Sequence, residues 1–340
     1  MNVPSKEVIK ARSAEVTASE NVGWTPGGDR LRPRVGLALS SGGARGLAHV
    51  GVIQVLEENG IAIDVIAGAS MGAYVGALWA AGYSGRELQE FAAEIRSPRD
   101  LWGRLDLALP PVRGLFHGRM IKERLAAALK GASFADLLRE LHVVAANLDT
   151  YERRVFSSGD VATAVHASSA VPGVCVPVEV EGCRYVDGGI VDPVPVGVLA
   201  DLNCDRIIGV SVIPTFEDIA RGAAPDPETP PVRPFRSRLK RLNRSFNVFA
   251  DGNVVDTLRR SVLSAQIRLA HHSRHRADVL LRPQIVSTRW HDYHNYLHYI
   301  EMGRKAALAQ LPALLALADR TLSKGGSNEI PNQRTLVSNA

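Results

Sequence analysis

Ser70 has the surroundings expected of a covalent nucleophile. It is the centre of a Gly-Ala-Ser-Met-Gly sequence that runs from Gly68 to Gly72 and directly follows the apolar run 63–67. This order predicts a nucleophile elbow, in which a strand ends, the chain turns sharply and a helix begins at the serine. The flanking glycines allow backbone angles and close approaches that a Cβ atom would obstruct. The chemistry expected of such a serine is attack on an acyl carbonyl, which forms an acyl-serine intermediate.

A glycine-rich turn earlier in the chain has the composition of an oxyanion hole. An apolar strand predicted over 35–40 runs into Ser41, and a helix is predicted over 47–58. The turn between them consists of Gly42, Gly43, Ala44, Arg45 and Gly46. Free backbone N–H groups in such a turn stabilise developing negative charge. A ligand-free turn is one alternative. A dinucleotide-binding loop is a weaker one, because Ser41 replaces its first glycine and Asp64 lies at the start of the second strand instead of its end.

The candidate catalytic base is Asp187, which follows a short predicted strand and precedes Gly188 and Gly189. An aspartate in a two-glycine turn can reach a serine at the end of another strand without obstruction by side chains. Taken alone, Asp-Gly is an ordinary turn sequence. A solvated carboxylate is a poor base for an alcohol, so burial must raise the pKa of Asp187 if it is to accept the Ser70 proton.

In this order, the three segments resemble the patatin-like phospholipases. The resemblance covers residues 34–320 and includes the segments 157–160 and 167–173 and the proline-rich run after Asp187. It implies an α/β fold, a three-layer α/β/α sandwich with a mainly parallel central sheet. It also implies a serine-dependent lipid acyl hydrolase: a phospholipase A, lysophospholipase or esterase. Such an enzyme uses a Ser70–Asp187 dyad, needs no metal or other cofactor, and acts on phospholipid or lysophospholipid acyl esters. Ser41 departs from the pattern, because many family members have a third glycine there.

Other functional interpretations stay open. An α/β-hydrolase triad has the chain order Ser, Asp, His. The histidines that satisfy this order are His271, His272, His275, His291, His294 and His298. That fold places several strands before its elbow, whereas one predicted strand precedes the elbow strand here. A zinc site on a helix bearing His291, His294 and His298 lacks a matching carboxylate or thiolate cluster. A lipid-binding or regulatory module with little turnover, and an acyltransferase, are further alternatives.

Composition predicts one large domain with a buried core. The chain has 340 residues, of which 46% are hydrophobic and 22% charged. Apolar strands without alternation, at 143–146 and 207–212, indicate a sheet covered on both faces. The polar ends predict flexible tails over 1–33 and 321–340 around a hydrolase domain over 34–320.

The cysteines and the lack of an apolar N-terminal segment indicate the cellular compartment of the protein. The three cysteines lack metal-binding spacing and predict buried reduced thiols in a cytoplasmic protein; they are Cys175, Cys183 and Cys204. No secretion peptide is expected. Residues 65–83 carry no charge and mimic a transmembrane helix, but a buried strand, an elbow and a core helix explain them better.

The segment 214–250 is predicted to be a surface insertion, proline-rich at first and then basic and amphipathic. If helical, its second part presents positive charges and an apolar stripe, carried by Phe235, Arg236, Arg238, Leu239, Lys240, Arg241 and Leu242. Such a helix docks on an anionic membrane surface and would hold a peripheral enzyme at the inner membrane face. A lid or packing helix with solvated charges is the alternative. Nucleic-acid binding is not expected, because no separate aromatic platform accompanies the charges.

Overall fold

An eight-stranded sheet forms the centre of the described structure. The computed structural model describes residues 32–95, 100, 106–108, 113–223, 254–285 and 292–318. The strands are β1 Val35–Leu39, β2 Val65–Ala69, β3 Glu140–Asn147, β4 Arg153–Phe156, β5 Val178–Val180, β6 Cys183–Asp187, β7 Arg206–Val210 and β8 Val279–Leu281. The α-helices in these ranges are α1 Ala48–Glu58, α2 Met71–Ala80, α3 Gly85–Ala92, α4 Arg119–Leu129, α5 Val161–Ser168, α6 Val196–Asp201, α7 Phe216–Ala223, α8 Val254–Ser273, α9 Tyr296–Ala309 and α10 Leu311–Ala318.

The core of the sheet is parallel and buried on both faces. Strands β3, β2, β1, β7 and β8 pair in that order, all in parallel. Every residue of β1 and β2 is buried, as expected for strands that helices cover on both sides. The predicted α/β class and mainly parallel sheet are therefore confirmed.

The two faces of the sheet pack against different helices. Leu37 and Ile66 lie in one apolar cluster together with Ile53 of α1 and side chains of α2 to α5. The neighbouring residues Ala38 and Val65 point the other way, into a second cluster with α6 and α8. Since successive side chains of a strand alternate between faces, this division confirms the predicted three-layer arrangement.

Two strands meet end to end on one side of β3. At Val144, β3 pairs with Ala69 of β2 and with β4; at Ala145, it pairs with Asp187 of β6 and again with β4. Because β4 occupies the same side of β3 at both positions, β2 and β6 must share the other side. They approach from opposite directions and end at adjacent positions. This junction brings Ser70, the residue after β2, beside Asp187.

One strand boundary and the state of the cysteines differ from the predictions. The second strand is Val65–Ala69 instead of 63–67. The Asp64 side chain accepts hydrogen bonds from the Arg32 guanidinium and from the Val35 N–H, both at 2.7 Å. Because this side chain takes the Val35 N–H, regular strand pairing begins only at Val65. The cysteines are half-buried, not buried: Cys183 is the first residue of β6, and Cys175 and Cys204 lie in connections between elements.

Residues 65–83 divide into β2, an elbow and α2, as predicted. Among the described helices, none combines the length and apolar character needed to traverse a bilayer. Most of the predicted tails 1–33 and 321–340 lie outside the described residues. So does the whole basic segment proposed for membrane docking, with Phe235, Arg236, Arg238, Leu239, Lys240, Arg241 and Leu242.

Helix α9 packs on α1 through two glycines. A Cβ atom on Gly51 of α1 would lie 1.9 Å from the carbonyl oxygen of Ile300, and one on Gly303 of α9 would lie 1.9 Å from that of Ala48. The two backbones are therefore in direct contact. Because α1 follows the glycine-rich loop, α9 supports that loop from outside the sheet.

We expect Gly51→Ala to lower the free energy of unfolding by about 2–3 kcal/mol, because the added methyl group overlaps backbone that cannot move aside. Denaturant unfolding measures the change. The matched control is Gly197→Ala in α6, where a Cβ atom meets only the ends of arginine side chains, the nearer at 3.2 Å. The control should change stability by less than about 1 kcal/mol. Equal unfolding midpoints for Gly51→Ala and wild type would contradict the close packing.

Candidate active site

Ser70 occupies a sharp turn between β2 and α2. Its backbone angles are φ 54° and ψ −121°, a conformation that residues with side chains rarely adopt. The flanking glycines are explained by close contacts. A Cβ atom on Gly68 would lie 2.6 Å from the Ala73 nitrogen, and one on Gly72 would lie 2.2 Å from the Leu39 carbonyl oxygen. The chain thus passes from strand to helix through the single strained residue Ser70; the assignment as a nucleophile elbow stays a prediction.

The Ser70 hydroxyl donates a hydrogen bond to Asp187 Oδ2 at 2.5 Å. Both side chains are buried, with Ser70 7% and Asp187 4% exposed. The Gly189 N–H donates to the other carboxylate oxygen, Oδ1, at 2.8 Å and so fixes the plane of the carboxylate. A Cβ atom on Gly188 would lie 2.1 Å from the Val144 carbonyl oxygen. The two-glycine turn therefore lets the aspartate approach β3 and the elbow closely.

Burial sets the protonation behaviour of Asp187. Desolvation raises its pKa to about 6, while the hydrogen bonds from Ser70 and Gly189 act in the opposite direction. A carboxylate with a raised pKa binds a proton more strongly than a solvated one. Asp187 is therefore a better proton acceptor for the serine hydroxyl than an exposed aspartate, and it is still ionised at neutral pH.

Ser168 is a site residue whose role the sequence analysis missed. Its hydroxyl accepts the Ser70 N–H at 2.8 Å and donates to the Val144 carbonyl oxygen at 2.6 Å. It is the last residue of α5, whose first turn is capped by Asp160, which accepts from the Thr163 N–H at 2.8 Å. Ser168 lies in the segment 167–173, which is part of the family pattern. No local spacing indicates that a hydroxyl 98 residues away holds the backbone of the elbow.

The glycine-rich loop lies at the same cavity as the dyad. Its residues form the turn from β1 into α1: Gly42, Gly43, Ala44, Arg45 and Gly46. Gly43 has a left-handed φ of 58°, and a Cβ atom on Gly42 would lie 2.4 Å from Val212 Cγ2. Both glycines line the cavity that contains Ser70 and Asp187. Backbone N–H groups at the start of a helical turn precede its first internal hydrogen bond and are available to a ligand. Their role as oxyanion donors stays a prediction.

Two buried polar atoms behind the loop have no hydrogen-bond partner among the described residues: Ser41 Oγ and His49 Nδ1. The Ser41 N–H donates to the Pro193 carbonyl oxygen at 2.9 Å, and its Oγ would lie 2.6 Å from a Cβ atom on Gly189. Ser41 thus packs the loop against the turn that follows Asp187. His49 Nε2 lies 2.9 Å from the Ser40 carbonyl oxygen, and burial lowers the pKa of His49 to about 4, so it is neutral at pH 7.

A cavity of about 950 Å³ extends from the dyad. Helices α2, α3 and α4 contribute much of its apolar wall, with Val75, Leu78, Leu88, Phe91, Ala127 and Ala128. Helix α8 lines it with Arg259, Val262, Leu263 and Gln266. The Gln266 amide nitrogen would lie 2.6 Å from a Cβ atom on Gly189, which places this face of α8 next to the dyad. The volume and lining suit a long alkyl chain with a polar end.

The histidines considered for a triad have other contacts. In the ranges that the structure covers, no histidine hydrogen-bonds to Ser70 or Asp187. His294 lines the cavity but lies 2.9 Å from the Asp292 carboxylate. The others described contact aromatic rings or one another: His271, His272, His275 and His298. His291 lies outside the described residues. The described part of the chain contains no group of three metal-ligating side chains that could hold an ion.

Comparison with known proteins matches one segment of the chain to a family model. Residues 37–200 match the model of the patatin-like phospholipase family. This segment, 164 of the 340 residues, is similar to a patatin-like phospholipase domain. Ser70, Asp187, Ser168 and the glycine-rich loop all lie within this patatin-like segment, whereas α8 and α9 lie beyond it. The family resemblance inferred from the motifs is confirmed.

Curated relatives are similar to about half of this chain. An uncharacterized NTE family protein of Mycobacterium tuberculosis is 40% identical over 196 residues, which cover 57% of this chain and 53% of the relative. The lysophospholipase NTE1 of Saccharomyces cerevisiae is 33% identical over 183 residues, 52% of this chain and 11% of the yeast protein. The chain therefore matches about half, or much less, of the length of these relatives.

Solved structures align with the chain at low sequence identity. VipD from Legionella pneumophila aligns with a TM-score of 0.41 and 13% identity, over 85% of this chain and 69% of VipD. ExoU in its complex with SpcU from Pseudomonas aeruginosa aligns with a TM-score of 0.34 and 19% identity, over 72% of this chain and 52% of that one.

We expect Ser168→Ala to lower the free energy of unfolding by about 1–3 kcal/mol, because it leaves the buried Ser70 N–H and the Val144 carbonyl without this partner. Chemical denaturation measures the loss. The control is Ser169→Ala, which removes the neighbouring hydroxyl and should alter stability by less than about 0.5 kcal/mol. If both variants unfold at the same denaturant concentration, Ser168 does not support the elbow as described.

Proposed function

We propose that the protein is a serine-dependent lipid acyl hydrolase that cleaves phospholipid or lysophospholipid acyl esters. The observation that carries this proposal is the 2.5 Å hydrogen bond from Ser70 to the buried Asp187 at the wall of a large, mainly apolar cavity. The direct contact favours a Ser–Asp dyad over a Ser–His–Asp triad, in which the imidazole stands between the other two groups. The patatin-like match and the lysophospholipase named among the relatives support the choice of substrate class.

Acylation follows from the positions of the two side chains. Ser70 Oγ attacks the carbonyl carbon of the ester while Asp187 accepts the hydroxyl proton, and the carbonyl electron pair moves to oxygen. The N–H groups of Gly42 and Gly43 stabilise the resulting oxyanion. When the tetrahedral intermediate collapses, the ester C–O bond breaks and the proton held by Asp187 passes to the leaving alkoxide. The products of this step are acyl-Ser70 and an alcohol.

Deacylation repeats the same steps with water as the nucleophile. Asp187 accepts a proton from water as its oxygen attacks the acyl carbon, and the oxyanion forms again at the loop. Collapse breaks the bond to Ser70 Oγ, which takes back the proton from Asp187, and the fatty acid leaves. No step of this dyad mechanism requires a metal or an organic cofactor.

Peripheral membrane association belongs to the same proposal. It rests on the sequence of the basic amphipathic segment within 214–250, whose apolar stripe and positive face would hold the cavity mouth against an anionic, inner membrane surface. Cytoplasmic placement is proposed from the few cysteines, which lack metal-binding spacing. The domain limits of 34–320 are proposed from the polar composition of the two ends.

A fluorophosphonate probe tests whether Ser70 is a working nucleophile. We expect covalent labelling at Ser70 in the wild type, none in Ser70→Ala, and a labelling rate lowered about 100-fold or more in Asp187→Asn, which cannot accept the proton. Hydrolysis of a lysophospholipid, followed as released fatty acid, should fall in parallel. The exposed Ser261→Ala serves as a matched control and should behave as wild type.

Other outcomes of that experiment would favour other functions. Lysophospholipid binding without probe labelling would indicate a lipid-binding or regulatory module. Labelling accompanied by acyl transfer to an added alcohol, with little free fatty acid, would indicate an acyltransferase.

The pH dependence of the reaction should report the ionisation of Asp187. Because only the carboxylate accepts the serine proton, kcat/KM for a p-nitrophenyl acyl ester should rise with pH through about 6 and then level off. The substrate does not titrate in this range, and the lowered pKa of His49 keeps that residue neutral throughout it. A profile that is flat from about pH 5 to pH 7 would contradict the role of Asp187 as base.

A further inference from the structure

Two arginines from different parts of the chain line the cavity that contains Ser70. Arg45 belongs to the glycine-rich loop, and Arg259 belongs to α8, which lies outside the family-matched segment. Within the described ranges, Arg45 forms no ion pair, and its one hydrogen bond is a long contact of 3.5 Å from Nε to the Gly42 carbonyl oxygen. Its terminal guanidinium nitrogens therefore have donor capacity left for a ligand.

Arg45 stays charged in this position. Burial lowers its pKa to about 10, and the nearby guanidinium of Arg259 acts in the same direction. That value is still well above neutral pH, so Arg45 carries a positive charge into the cavity. A guanidinium is always charged in proteins, so Arg259 adds a second positive charge. Two positive charges on the wall of one partly buried cavity favour the binding of an anion there.

Arg259 is held in place by Asp256. Its Nη2 donates to Asp256 Oδ1 at 2.8 Å, and the Nε of Arg260 donates to the other oxygen, Oδ2, at 2.8 Å. Asp256 is buried, so this ion pair positions Arg259 firmly while leaving most of its N–H donors for other partners. The side chain of Arg260 is 64% exposed and does not line the cavity, whereas that of Arg259 is 26% exposed and does.

The acidic side chains of the cavity other than the dyad are engaged elsewhere or exposed. Glu94 accepts from the Arg124 guanidinium at 2.6 Å. Asp292 accepts from the Asn295 amide at 2.6 Å and lies 2.9 Å from His294. Glu123 lies exposed on α4. The hydrogen bonds of the described carboxylates thus leave Arg45 without an acidic partner.

We propose that Arg45 and Arg259 bind the phosphoryl group of the lipid substrate while its acyl chain occupies the apolar part of the cavity. Guanidinium groups bind phosphate oxygens through paired, charge-assisted hydrogen bonds, which neutral esters cannot form. The enzyme is then selective for lysophospholipids over neutral glycerol esters of the same acyl chain. This inference rests on the proposed hydrolase function and makes its substrate class narrower.

The test compares kcat/KM for a lysophosphatidylglycerol with that for the monoacylglycerol of the same acyl chain, both below their micellar concentrations. We expect the wild type to prefer the phosphoryl substrate and Arg259→Gln to reduce that preference about tenfold or more, the loss of one charge-assisted contact. Arg259→Lys, which keeps the charge, should retain part of the preference. Arg260→Gln also loses a hydrogen bond to Asp256 but does not alter the cavity, and it should keep the wild-type ratio.

Each remaining outcome overturns the inference in an identifiable way. Equal kcat/KM values for the two esters, or equal ratios in Arg259→Gln and Arg260→Gln, would reject phosphoryl selectivity while leaving the hydrolase function intact. Hydrolysis of neither ester would reject the proposed function and this inference with it. If inorganic phosphate inhibits monoacylglycerol hydrolysis through Arg259 but the ratio is unaffected by Arg259→Gln, the arginines bind free phosphate and not a lipid head group.

Discussion

The hydrogen bond between Ser70 and Asp187 is the contact around which the described structure is arranged. It joins residues 117 positions apart, and it exists because β2 and β6 reach adjacent positions on the same side of β3 from opposite directions. The glycines of both turns allow the backbone to come close enough, and the Ser168 hydroxyl links the elbow N–H to the carbonyl of Val144 on β3. Strand β3 is therefore the common support of Ser70, Asp187 and Ser168.

Burial of the Asp187 carboxylate opposes folding at neutral pH. The pKa of Asp187 rises from an unperturbed 3.8 to about 6, so the folded state binds its proton more tightly than the unfolded chain does. The bound proton of Asp187 therefore stabilises the folded state. This contribution is complete below the pKa of the unfolded chain, 3.8, and is lost as pH rises through about 6. At neutral pH the ionised, buried carboxylate opposes folding by about 3 kcal/mol. The left-handed backbone of Ser70 adds strain at the same place. A buried parallel sheet with helices on both faces outweighs these terms.

Local sequence patterns were sufficient to predict the elbow, the glycine-rich loop, the strand that carries Asp187, and the layered α/β fold. Each depends on neighbours in the chain: apolar runs, glycines at turns, and the change from strand to helix. Long-range contacts could not be predicted in this way. Ser168 contacts Ser70 across the fold, Asp64 shortens its own strand through Arg32 and Val35, and Arg259 reaches the cavity from a helix with no motif of its own. The catalytic roles of the site residues remain predictions.

The packing of α9 on α1 has a consequence for where the chain can be divided. The family-matched segment ends at residue 200, before β7, β8 and α9. An excised segment of that length would leave one side of β1 without its strand partner β7 and would uncover the glycine-lined surface of α1. An unpaired, fully apolar strand edge invites intermolecular pairing. We therefore expect fragments to be soluble only if their boundaries lie beyond α9, outside the segment that the family model matches.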